Sequence, residues 1–260
     1  MTADFTYGKY AELLEAGLDL GIPFLTVRDY LSAESLPPAF VVLRHDVDRK
    51  PGNALDFARI EAERGVRSTY YFRTVSETFR PSIIGVIESL GHEIGYHYED
   101  LDRADGDRER ARTVFSANLD RLRQVADVST VCMHGNPLTP HDNRDLWTDA
   151  PSFDEYGLLG EAYLSMDFAD VDYYSDTGRS WRDGALKIND HTVGEDGKTT
   201  QVETTDELIA LLASTDGGRF CVLTHPDRWA DTLTERAFEL TFDTAKNTAK
   251  YALGVLPTVR

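Results

Sequence analysis

The chain has 260 residues, enough for one large domain or two small ones with a substantial buried core, and a formal charge of −18. So acidic a balance argues against nucleic acid as the main partner, because phosphate contacts need basic surface. No run approaches the roughly 18 apolar residues of a membrane span, and the first residues lack the apolar stretch of an export signal, so a soluble, cytoplasmic protein is expected.

Lysine occurs at only six positions, against abundant Asp and Glu. That skew suits concentrated salt, where screening removes carboxylate self-repulsion, and a halophilic protein is expected, with an acidic mesophilic enzyme as the alternative. Cys132 and Cys221 each lie in an apolar run, which reads as two buried thiols and not a disulfide framework.

In chain order, the spacing of Phe5, Tyr10, Leu13, Leu14 and Leu18 predicts an amphipathic helix over 4–20, closed near Gly21. After Pro37 and Pro38, the stretch 41–48 (VVLRHDVD) begins as a buried strand and runs into Arg44, His45, Asp46 and Asp48. Helices are predicted over 51–64 (Asn53 as N-cap), 81–90 and 107–125, alternating with strands at 68–73, 93–97 and 129–133. The middle, 150–202, is rich in Gly, Asp and Tyr, with short strand-like pieces at 158–165, 171–176 and 185–190. A helix over 205–214, a strand at 219–224 and a final helix over 231–251 restore the alternation. Strand and helix in turn, with short connections, predict an α/β fold with a parallel sheet covered by helices. No linker or repeat interrupts 1–260, so a single domain is expected, with the helix over 4–20 packed on it.

Sites in parallel α/β folds gather at the carboxyl ends of strands. Four of the predicted strands exit in a histidine: His45, His97, His134 and His225. Asp46 and Asp48, two apart, point the same way from an extended backbone and can share a cation. Imidazole and carboxylate together suit Zn²⁺ or a similar divalent ion (Co²⁺, Mn²⁺, Ni²⁺), which activates water and polarises a carbonyl. A spare carboxylate and a spare histidine supply the base and the acid of amide or ester hydrolysis.

The motifs RHDVD, GHEIGYH and VLTHPDRW resemble those of the polysaccharide deacetylases with the NodB-type fold (carbohydrate esterase family 4), from about residue 40 to 230 and in the same order. The resemblance implies an irregular (β/α) barrel of seven parallel strands. It implies Asp46 as catalytic base, Asp48 and His97 as metal ligands and His225 as catalytic acid. The run 176–181 (DTGRSW) stands where the family has an Asp/Trp motif lining the pocket, so Arg179 and Trp181 are expected substrate contacts; Trp147, Trp181 and Trp229 can each stack on a sugar ring, Trp229 being the further expected contact, with core packing as the equal alternative. The chain departs from the family at Leu101, where the second metal histidine is expected, and in HGNP, which replaces an Arg-Pro motif. His134 is then the first candidate for the third ligand, ahead of Glu99 and Asp100.

The expected reaction is metal-dependent hydrolysis of a carbon–nitrogen bond, removing an acyl group from an N-acetylated sugar or polysaccharide. A small linear or cyclic amide is the alternative substrate within the same fold. Two other classes remain: a glycosyltransferase holding a nucleotide diphosphate through the DxD of Asp46 and Asp48, and a barrel that has lost catalysis. His92 reads as structural, and His141 as solvated. Oligomeric state is not legible.

Overall fold

A computed structural model describes residues 3–136, 139–148, 152–183, 192–194, 197–214 and 218–230. Helix α1 (Tyr7–Asp19) is capped by Thr6, whose side chain accepts from the Lys9 amide. It is three residues shorter at its start than its hydrophobic period suggests, because Phe5 is left-handed (φ 54°) and Thr6 extended. A two-residue strand β1 (Phe24–Leu25) and a short helix α2 (Val27–Ser32), started by a Thr26/Asp29 capping box, follow. Both elude the periodicity, being too short to show one.

The alternation then runs β2 (Phe40–Val47), α3 (Pro51–Ala62), β3 (Thr69–Phe72), α4 (Pro81–Ser89), β4 (Glu93–Tyr98), α5 (Asp100–Arg103), α6 (Arg108–Arg123) and β5 (Val128–Met133). After two 3₁₀ turns come β6 (Gly160–Glu161), β7 (Asp172–Ser175), α7 (Thr205–Ser214) and β8 (Arg219–Thr224). The N-cap of α3 is Lys50, in the left-handed region, and not Asn53; Pro51, which needs no amide partner, opens the helix. The piece at 185–190 and the final helix over 231–251 lie outside the described residues.

All the strand ladders are parallel, in the order β6-β5-β4-β3-β2-β8-β7, with β1 added beside β2. Seven parallel strands thus form the path that the family resemblance implies, and the sheet curls as a half-barrel. Among the described residues β6 and β7, the ends of the path, share no ladder. The central strand β2 is buried along its whole length, as expected where helices cover one face and the barrel interior the other.

Alternation along β2 sorts its charges. His45 turns toward the helices, where Glu61 of α3 and Tyr10 of α1 receive it. Arg44 and Asp46 turn the other way, and the Arg44 guanidinium lies 4.3 Å from the ring centre of Tyr163. On β4, Gly95 is required: any Cβ there would collide with the Tyr71 ring of β3.

Candidate active site

Four strand exits meet at one rim. Asp48 follows β2, His97 closes on β4, His134 follows β5 and His225 follows β8. His97 Nδ1 donates to the carbonyl of Cys132 on β5 at 3.0 Å, so the proton sits on Nδ1 and Nε2 is left as a lone pair toward the rim. Asp48 Oδ1 lies 3.4 Å from His97 Nε2 and 3.0 Å from His134 Nδ1, and the two imidazole nitrogens are 3.3 Å apart.

Those three separations decide the fit to a metal. Ligand bonds of about 2.0–2.1 Å in a tetrahedron put neighbouring ligand atoms about 3.3 Å apart. One oxygen and two imidazole nitrogens therefore have the spacing of three ligand atoms that could hold a Zn²⁺-sized ion. Asp48 Oδ1 is also buried without a well-directed hydrogen bond, although it is 3.0 Å from His134. That is costly for a carboxylate unless a cation completes it.

His134 stands beside Asp48 and His97, whereas Leu101 does not belong to this group. Leu101 lies on α5 and packs into the core, 3% exposed. Of the other candidates, Glu99 is held by Arg73 at 2.6 Å and Arg103 at 2.7 Å. Asp100 accepts from Tyr96 at 2.7 Å and Asn118 at 2.8 Å, and burial raises its carboxyl to about 6. A second group of potential ligands, Asp46, His97 and Cys132, lies deeper and shares His97 with the first.

Asp46 and His225 flank the triad. Asp46 Oδ2 is 3.8 Å from His97 Nε2 and 3.4 Å from Arg44 Nη2, while its Oδ1 is buried with no hydrogen-bond partner. His225 Nε2 is 3.9 Å from Asp48 Oδ2. On its other side, His225 Nδ1 meets Asp176 Oδ1 at 2.6 Å, and the His225 amide donates to Asp176 Oδ2 at 2.9 Å. Trp229 Nε1 donates to that same oxygen at 2.7 Å.

The electrostatics follow from these contacts. Burial would raise the Asp48 carboxyl, but His134, then His97 and His225, hold it well below the usual range. Burial and the Arg228 guanidinium push the His225 imidazole down; Asp176, joined by Asp48, pushes it up, and the net displacement is upward. Asp176 itself, though buried, is held low by His225 and Arg228.

Asp176 is the residue that the sequence reading undervalues. It sits at the exit of β7, 49 positions before His225, inside the DTGRSW run. The corrections concern the tryptophans. Trp181 and Trp229 are fully buried, with Trp181 donating to Thr205 at 3.0 Å and both rings packed around Phe5. Neither has a ring face open to a sugar. Arg179 is half-buried, left-handed (φ 56°), and donates to the Arg228 carbonyl. His45 belongs to the helix side of the sheet, and His92 donates to the Ala58 carbonyl at 2.9 Å beneath it.

No family model matches this chain, and no curated protein matches it. Among solved structures, it is similar to a family 4 carbohydrate esterase from Streptomyces lividans in complex with acetate (12% identity, 82% of this chain and 90% of that one, TM-score 0.39). It is also similar to a family 4 esterase from Streptococcus mutans (15% identity, 87% and 86%, TM-score 0.43). A pseudoenzyme of that esterase family from Bacillus anthracis matches too (11% identity, 79% and 60%, TM-score 0.40). At these identities and scores the likenesses carry no argument of their own. The functional reading rests on the site.

Proposed function

We propose that this chain is a metal-dependent hydrolase of amide bonds that removes the acyl group from an N-acylated sugar. The observation that carries the reading is the convergence of Asp48 Oδ1, His97 Nε2 and His134 Nδ1 at 3.0–3.4 Å from one another. When bound, a divalent ion supplies Lewis-acid polarisation of the acyl carbonyl and acidifies a water.

The remaining chemistry belongs to the chain. Asp46 Oδ1, buried and without a donor, is the acceptor for the proton of the attacking water, while Arg44 steadies the other oxygen. His225, with Nδ1 held by Asp176, presents Nε2 to the site and can deliver a proton to the leaving amine. Asp176 fixes the ring and favours its charged form. Base and acid thus flank the triad, which is the arrangement amide cleavage needs. The DxD transferase reading leaves His97, His134 and the Asp176–His225 pair without work.

The test combines metal analysis with acyl release. Purified protein should bind one divalent ion per chain and release acetate from N-acetylglucosamine oligomers, and Asp46→Asn should keep the ion while losing release. Full metal occupancy in both Asp48→Ala and His97→Ala would put the ion elsewhere and remove the proposal.

A further inference from the structure

The two imidazoles of the triad are held in different ways. His97 is fixed through its ring, whose Nδ1 donates to the Cys132 carbonyl at 3.0 Å. The His134 ring has no such anchor among the described residues. Its Nδ1 faces Asp48 and His97, and its Nε2 is 4.0 Å from Glu99 Oε2, beyond hydrogen-bonding distance. What fixes His134 is its backbone. Its amide donates to the Tyr98 carbonyl at 2.7 Å, and its carbonyl accepts from Asn143 Nδ2 at 2.9 Å. The first of these bonds continues the ladder between β4 and β5. The second comes from outside the sheet.

Asn143 opens a 3₁₀ turn (Asn143–Trp147) and is only 1% exposed. A buried carboxamide brings two donors and two acceptor lone pairs that need partners, and Asn143 uses all four. Its Oδ1 accepts from the amides of Leu101 at 3.1 Å and Asp102 at 3.2 Å. Both amides lie in the first turn of α5, where helix geometry leaves N–H groups without a partner in the helix. Its Nδ2 donates to Asp102 Oδ2 at 2.9 Å and to the His134 carbonyl. Backbone amides can only donate, so they fix which end of the carboxamide is oxygen and turn the NH₂ onto His134. Asp102 grips the same loop again further on, its Oδ1 accepting from Thr139 Oγ1 at 2.5 Å. Helix α5 therefore brings no ligand at Leu101, but through the Leu101 amide it holds the residue that holds His134.

We infer that Asn143 is a positioning residue for the third metal ligand: it holds the His134 carbonyl and so sets the backbone from which the imidazole reaches Asp48 and His97. This rests on the metal reading above and adds to it a residue outside the Asp48–His97–His134 group. Partners that orient a metal ligand typically change metal affinity by about 10–100-fold when they are lost.

Asn143→Asp keeps an oxygen for the two α5 amides, but an ionised carboxylate has no N–H to give His134. In competitive chelator titrations with Zn²⁺, its affinity should fall roughly 10–100-fold below that of the natural protein. In a His134→Ala background the same substitution should change affinity by less than about twofold, because its route to the ion is gone. Asn118→Ala controls for general damage to the region: Asn118 donates to Asp100 of α5 at 2.8 Å and has no bond to His134. That control should lower Tm and leave affinity unchanged. If Asn143→Asp does not fold, the smaller Asn143→Ser takes its place in the same measurements.

Unchanged Zn²⁺ affinity in the Asn143 variant overturns the inference, and so does an equal loss in the natural and His134→Ala backgrounds. If His134→Ala binds too weakly to measure, the Asn118→Ala control decides, and a loss shared by both asparagine variants overturns it. If the natural protein binds no Zn²⁺, the metal reading falls by itself, and crystal structures of the natural and Asn143→Asp proteins judge the positioning role. His134 Nδ1 should then leave its place 3.0 Å from Asp48 Oδ1 in the variant. An unmoved ring overturns the inference.

Discussion

In the proposed reaction His225 serves as the acid, its far nitrogen held by the buried carboxylate of Asp176. Asp176 raises the imidazole above its ordinary value of 6.5 against burial and Arg228, both of which push it down. An acid must be protonated to work, so activity should fall as pH rises through that raised value. Removing the carboxylate in Asp176→Asn removes the largest of the upward influences, and the basic limb of kcat against pH should move to lower pH. A limb that stays in place would show that His225 is not the group titrating. His225→Ala should lower kcat by roughly 10²–10⁴-fold and leave metal content unchanged. At the ligand positions, His134→Ala should weaken metal binding in a competitive chelator titration more than Glu99→Ala, because Glu99 is already occupied by Arg73 and Arg103. The reverse ranking would transfer the third ligand to Glu99.

At the scale of elements, helices α1 and α3 are joined to the sheet by a polar knot around Glu61. Glu61 accepts from Tyr70 at 2.7 Å and Ser68 at 2.6 Å, contacts His45 at 2.7 Å, and receives the Tyr10 hydroxyl of α1. His45 in turn meets Thr224 at 2.6 Å, next to His225. Burial would raise the Glu61 carboxyl, but His45, then His92 and Ser68, bring it down to about 2 from an ordinary 4.5. Between those values the unfolded chain binds more protons than the folded one, so stability falls as pH drops through that window. The contribution, fully present above pH 4.5, is about 3 kcal/mol. Glu61→Gln should flatten the stability–pH slope between pH 4.5 and 2 in denaturant titrations; an unchanged slope would mean that Glu61 titrates normally.

Over the whole molecule, the charge of −18 should make stability depend on salt. Raising salt from low to molar concentration should raise Tm by screening repulsion among exposed carboxylates. A Tm indifferent to salt would remove the halophilic reading. Ion pairs such as Arg64–Glu15 at 2.9 Å and Arg67–Asp29 at 3.0 Å pull the other way, but exposed pairs of this kind contribute at most about 1 kcal/mol. No described helix is long and apolar enough to cross a membrane.

The sequence by itself determined the parallel alternation, because strand and helix periods and their Gly and Pro boundaries are local properties of the chain. It also marked Asp46, Asp48, His97, His134 and His225, because in such a fold strand exits share one rim wherever the strands stand in the order. Glu61 was within reach too: with Ala54, Phe57 and Ala58 it falls on the apolar stripe of α3, where a carboxylate has to find partners. Only the tertiary structure decided the rest. The 3.0–3.4 Å triad depends on the register of β4 against β5, including a bulge between Ile94 and Tyr96. Asp176 meets His225 because β7 pairs with β8, and both reach the rim because β8 lies beside β2, out of chain order. The tryptophans' burial likewise depends on how α1 and α7 close over that edge, where Trp181 bonds to Thr205 and stacks near Phe5. Such contacts between distant segments have no local signature, since nothing in a residue's neighbours along the chain records which strand will lie beside it.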